Sequence, residues 1–208
     1  MVVLSFMKII NIRLKTFFFI TVVSLCFIFQ ACELRKTGFD DFAELFDETG
    51  LPVTIDSAFL SSLNTEGKEY ILLETELIKL SQIDELSEKH GEFPLYQVKL
   101  LSKVTLHRGI QGLIYAIRLN PEIPFDVKMV KVLLGLYNDE GTLTDSKEIG
   151  GFEYNFGHDK MIYSTLSSDM TLNMVYSDEK KNVSLGTSEV TESKEIHKVS
   201  VEGEFVKP

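Results

Sequence analysis

Four histidines, His90, His107, His158 and His197, are the side chains best suited to acid–base or metal chemistry. A zinc site draws His and Cys ligands from close spacing. None of the four has a second histidine at such spacing, so no metal site is assigned. A structural or solvated role is expected for His107 and His197. His158 stands beside Asp159. That pair becomes a base with its orienting acid only where a hydroxyl or thiol meets it in space, and residues 157–160 read as a turn. There is no Gly-x-Ser-x-Gly elbow and no phosphate loop. Asn138-Asp139-Glu140-Gly141 supplies part of a calcium loop, but Leu136 stands where the first ligand belongs, so a hairpin turn is expected instead. Asp84-Glu85 and Asp139-Glu140 are carboxylate pairs in polar stretches, without the apolar surroundings that raise a carboxyl pKa. No catalytic residue and no cofactor is assigned.

Aromatic side chains could form a sugar-stacking platform. The chain has no Trp. Tyr96, Tyr115, Tyr137, Tyr154, Tyr163 and Tyr176 fall at core-facing strand positions, so packing is their expected role.

The two cysteines direct attention to the N-terminal region. Thr16 to Cys32 is an uncharged run preceded by Lys8, Arg13 and Lys15. A basic start, an apolar middle and a small residue at the cut make a secretory signal. A helix left in the bilayer takes about 20 apolar residues, more than this run supplies before Gln30. Either Met1 or Met7 serves as the start. Ala31 precedes Cys32, whereas bulky Leu25 precedes Cys26, so the expected cut leaves Cys32 first.

Phe29-Gln30-Ala31-Cys32 resembles the lipobox of bacterial lipoproteins, in the looser form of Bacteroidota-type bacteria. The resemblance implies that the Cys32 thiol receives a diacylglycerol and that the new amino terminus is acylated, giving a membrane anchor. Glu33-Leu34-Arg35-Lys36 lacks the acidic cluster that this family uses for export to the outer face. An outer-membrane anchor with the domain facing the periplasm is therefore expected, with exposure at the cell surface as the alternative. Asp56-Ser57-Ala58 is similar to the family's O-glycosylation site at Ser57, but a helix cap is the favoured reading. The stretches 51–57 and 195–206 also resemble small lipoproteins of this kind. They bring no activity with them.

Three basic residues precede Cys32, so 18 of the 21 face all 31 acidic residues in the rest, a net of −13. Such a domain is repelled by nucleic acid and by anionic lipid. A nucleic-acid partner is disfavoured; basic or neutral partners remain.

The expected layout is a signal over 1–31, a lipidated tether over 32–38 and a single domain over 39–208. The fold class is α+β, with a helical part over 39–91 on a mainly antiparallel sheet or sandwich over 95–207. Helices are expected over 39–48, where Phe39, Phe42, Ala43 and Phe46 share a face, and over 68–80, where Tyr70, Leu73, Leu77 and Leu80 do. Ser81 with Asp84 reads as a capping box. From Leu95 the apolar period is two. The stretch 127–137 is apolar on both faces and is placed centrally. The polar return strand 142–149 is placed at an edge, broken by Gly150-Gly151. Asp178 to Asn182 is expected as a charged turn, and Val199 to Phe205 as a final strand.

These readings favour a lipid-anchored, non-catalytic interaction module that meets a protein partner. A hydrolase built around His158 and Asp159 is one alternative. An acidic inhibitor or immunity protein is the other.

Overall fold

The computed structural model describes residues 38–63, 70–73, 75–106, 109–123, 127–155, 157–182 and 184–208. The signal, Cys32, most of the tether and His107 lie outside them. The first elements are short: α1 (Phe39–Ala43), β1 (Asp47–Thr49), β2 (Val53–Ile55), α2 (Ser57–Leu63), α3 (Thr75–Ser81), a 3-10 turn (Asp84–Ser87) and a small hairpin of β3 (Lys89–His90) and β4 (Phe93–Pro94). Longer strands follow: β5 (Tyr96–Thr105), β6 (Gln111–Leu119), β7 (Lys128–Tyr137), β8 (Leu143–Asn155), β9 (His158–Leu166), β10 (Thr171–Asn182), β11 (Thr187–Val199) and the short β12 (Phe205–Val206). The chain divides into two compact units, one ending at Asp41 and the other running from Phe42 to Pro208, and the strands belong to the second.

Ten strands form one sheet in the order β1-β5-β6-β7-β8-β9-β10-β11-β12, with β2 pairing β9 off that path. Every pairing in this sheet is antiparallel except that of β1 with β5. The protein is thus mostly a large antiparallel sheet with a few short helices. The 39–91 stretch mixes strands with helices and is not uniformly helical. After α1 the chain turns and runs as β1 beside Ser102 to Val104. Tyr70 to Leu73 is extended: Ile71 exchanges both backbone bonds with Val98 at 2.8 Å. Helix α3 therefore begins only at Thr75. Ser81 ends that helix and caps nothing after it. Its hydroxyl donates back to the Ile78 carbonyl at 2.7 Å and accepts from Ile83 N at 3.3 Å.

β7 is central and buried on both faces from Val132 to Tyr137, as its apolar sequence demands. One face joins a core with Ile114, Ala116, Ile149, Leu166, Leu172 and Met174, to which β2 adds Ile55 and α2 adds Leu60 and Leu63. Each such side chain contributes roughly 1.5–3 kcal/mol before entropy is counted. Helix α2 starts on a cap: Phe59 N donates to Asp56 Oδ1 at 2.8 Å. On β6, Tyr115 meets Phe46 edge-on at 5.0 Å and stacks with Phe42 at 6.4 Å.

β8 is not an edge strand and does not break at its glycines. It lies between β7 and β9. The register shifts where Glu148 and Gly150 face Leu133 and Val132, so Ile149 is an extra residue, a β-bulge. The bulge lets β8 bend there. Its first half pairs β7 alone, while Gly151 onward pairs both β7 and β9. Polar side chains are accommodated by specific bonds. Thr144 Oγ1 shares its one proton between Leu136 O at 3.0 Å and Gly203 O at 2.7 Å, and Asp145 Oδ2 accepts from Phe205 N.

The expected charged turn at 178–182 is instead the end of β10, paired with His158–Lys160 on one side and with 187–191 on the other. The chain turns after it. Only Phe205 and Val206 form the final strand; Val201 lies in the turn before them.

Candidate functional site

A groove of about 680 Å³ lies on one face of the sheet, across β7 to β11. Pairing registers build its floor in two rows. Lys131, Gly151, Ile162, Tyr176 and Ser193 lie opposite one another from β7 to β11. Met129, Glu153, Lys160, Asp178 and Thr191 form the next row, whose middle alternates in charge. Glu148 and Glu195 also line it. A volume of this size suits a small ligand or a short segment of a larger one. Gly151 hollows the middle. A Cβ there would collide with the Val130 carbonyl, and the residue holds φ +151°.

Lys131 interrupts the apolar run of β7. Its Nζ lies 3.2 Å from Glu85 and 4.0 Å from Glu148. Burial works against the ammonium charge, but Glu85 and Glu148 together outweigh it and raise the Lys131 pKa. Glu148 is less well served. Burial raises its carboxyl pKa, Lys131 offsets only part of that, and Glu85 and Glu153 add repulsion.

At the other end, Glu195 gathers four partners. His197 Nε2 lies 3.0 Å away, Tyr176 Oη donates at 3.2 Å, and Lys147 and Lys207 stand at 3.9 and 4.0 Å. The bond from His197 leads in holding the Glu195 carboxyl below its ordinary range. His197 is buried, and because a carboxylate only accepts, its Nε2 carries the proton. Burial, reinforced by Glu195, pushes the Tyr176 hydroxyl up to about 12.

His158 and Asp159 do not form a dyad. They are successive residues of β9, whose side chains point to opposite faces. His158 Nε2 pairs with Asp178 and Asp159 with Lys181. Asp139 and Glu140 sit in the β7–β8 turn, where Asn138 Oδ1 accepts from Glu140 N and Thr142 N at 3.1 and 2.9 Å. Glu85 reaches Lys131, whereas Asp84 opens the 3-10 turn. His90 lies in the β3–β4 hairpin. Ser57 is an exposed first residue of α2, beside Asp56 as the cap. It also lines a smaller hollow of about 160 Å³ with Tyr154 and Tyr163. Tyr115 and Tyr137 are core residues, whereas Tyr176 lines the groove. Among the described residues, no group of three or more His, Cys, Asp or Glu is placed to hold a metal, and no helix is long and apolar enough to cross a membrane.

Comparison with family models, with curated proteins and with solved structures returns no match. The groove must therefore be read from its own chemistry. Sequence reasoning missed Lys131, Glu148 and Glu195 as a set. A lysine inside an otherwise apolar strand was the available signal, because a charge there must meet a partner.

Proposed function

We propose that this chain is a lipid-anchored envelope protein whose sheet domain acts by contact through the groove, its ligand a neutral or amine-bearing group on a partner. The anchor reading rests on the basic start, the apolar run 16–32 and the Ala31-Cys32 junction. On that reading the domain sits at the outer membrane, facing the periplasm, with short helices from the N-terminal part lying over the sheet.

The groove's charge pattern carries the contact reading. Lys131, Asp178 and Glu195 are each bound to neighbouring side chains. Glu148 shares its cation: Lys131 stands 4.0 Å from it and sits nearer to Glu85, at 3.2 Å. A desolvated carboxylate in that position gains most from an incoming ammonium. Fixed ion pairs present a pattern for recognition; they do not leave a mobile proton beside a nucleophile.

Two measurements test this. Metabolic labelling with a palmitate analogue should mark the wild-type protein, and Cys32→Ala should lose both the label and membrane association. An unlabelled wild-type chain sinks the anchor. Titration with a polyamine as probe should shift the resonances of Tyr176 and Lys131 in the wild type and much less in Glu148→Gln. Identical titrations for the two proteins sink the groove assignment.

A further inference from the structure

β11 has one side paired and one side open. β10 runs along it from Thr187 to Lys198, while β12 meets only Lys198 and Val199 on the far side. From Thr187 to Ile196, no strand among the described residues covers that outer edge. Unpaired N–H and C=O groups in a row are a template for another strand. Two large apolar side chains stand exposed on it, Val190 at 57% and Ile196 at 49%. They share a face with Glu192 and Lys194; Thr191, Ser193 and Glu195 point to the other face and line the groove.

We propose that this edge pairs antiparallel with the same edge of a second copy, in the register that places Ser193 opposite Ser193. A two-fold axis makes each off-axis contact occur twice. In that register Glu192 faces Lys194 of the other copy, and Val190 faces Ile196. Thr191 faces Glu195, and no like charges meet. Neighbouring registers fail on charge or on burial. Centring on Glu192 sets Glu192 against itself and Glu189 against Glu195. Centring on Lys194 sets that lysine against itself. A slip of one residue toward the strand start puts Val190 opposite Glu195 and Ile196 opposite Glu189; the opposite slip puts Glu192 opposite Glu195. Like charges directly opposite are destabilising and opposite charges or apolar pairs stabilising, so the sequence selects one alignment. The charges along the edge also discourage pairing with unrelated strands while permitting this one.

The test is sedimentation equilibrium of the full chain in detergent micelles. The wild type should dimerise with rising concentration, and less so at high salt, which screens the Glu192–Lys194 pairs. Glu192→Lys and Lys194→Glu should each weaken self-association by at least about tenfold, since two attractive pairs become repulsive. Mixing the two variants in equal amounts should restore dimers. The substituted position 192 of one chain then faces the substituted position 194 of the other with opposite charge, and the unchanged Lys194 of the first faces the unchanged Glu192 of the second. A misfolded variant could not produce that recovery. A wild type that stays monomeric at every concentration overturns the proposal and leaves the edge to a different extended partner. Dimers that survive both single changes, or a mixture that fails to recover, overturn it equally.

Discussion

Tyr115 Oη lies 2.8 Å from Tyr137 Oη, and Tyr137 Oη donates in turn to the Ser81 carbonyl. A phenol has one proton. Tyr137 gives its own to Ser81, so Tyr115 must be the donor between the two rings. The relay is fully buried and ties β6 and β7 to the end of α3. Its direction makes the two hydroxyls unequal. Tyr137→Phe strands a buried donor and a buried acceptor at once, and is expected to cost about 2–4 kcal/mol. Tyr115→Phe leaves Tyr137 still bonded to Ser81, and is expected to cost about 1 kcal/mol. Urea midpoints of the two variants check the ordering. Equal losses would contradict the donor assignment.

The same relay sets an alkaline limit. Burial, with Tyr137 beside it, drives the Tyr115 pKa well above 10, and burial takes Tyr137 up to about 12. A phenol whose folded pKa is raised is favoured in its neutral form. Its contribution is complete below the unfolded value of about 10 and is lost as pH climbs from there toward the folded value. Thermal midpoints should hold steady to about pH 9.5 and fall between about pH 10 and 12. Tyr115→Phe should flatten that fall. A decline in the variant as steep as in the wild type would put the cause elsewhere.

What could be read from the sequence was the part governed by burial. β7 is apolar on both faces, and only a central strand can satisfy that. Asn138 to Thr142 announced its turn because the Asn side chain bonds backbone two and four residues on. The sequence misled where polar residues are paired at long range. Residues 143–148 look like an edge, yet Thr144, Asp145 and Lys147 meet partners about 50 to 60 positions away, at Gly203, Phe205 and Glu195. β11 has no apolar alternation because residues 187–194 are exposed on both faces, so nothing in its period marked a strand. Tyr70 and Leu73 carry a helical spacing, but the open edge of β5 captured Ile71 first. The groove was invisible for a related reason: it exists only after five strands take their registers.

Gly150 and Gly151 are adjacent and should respond differently to the same change. A Cβ on Gly150 meets the Ile55 Cγ2 methyl, a side chain in the core. A Cβ on Gly151 meets the Val130 carbonyl, which is backbone. Gly150→Ala is expected to lose about 1–3 kcal/mol by overpacking. Adding Ile55→Ala should make the pair less costly than the sum of the singles. Gly151→Ala is expected to lose at least as much, with no rescue from any neighbouring side chain, because the strand itself would have to move. Chemical denaturation of the single and double variants decides it. A rescue of Gly151→Ala by Ile55→Ala would mean that the bend in β8 is softer than the geometry requires.

Glu148 should trade stability for recognition. Burial raises its pKa, so the folded state favours the protonated carboxyl. A carboxyl with a raised folded pKa supports the fold below its unfolded value and opposes it as pH rises through the folded one. At neutral pH the charge is therefore a net cost. Glu148→Gln keeps the shape and leaves Lys131 its nearer partner Glu85 at 3.2 Å. That variant is expected to gain up to about 1 kcal/mol, which for a domain of this size moves the thermal midpoint by about 2–4 °C. The gain should shrink below about pH 4.5, where the unfolded carboxyl is itself protonated. A strained charge retained in a groove is what a binding site demands of its fold. The same substitution should therefore lower affinity for an amine probe while raising the melting temperature. If Glu148→Gln destabilises the domain at neutral pH, the carboxylate serves the fold through Lys131, and its value to a ligand must be argued from something else.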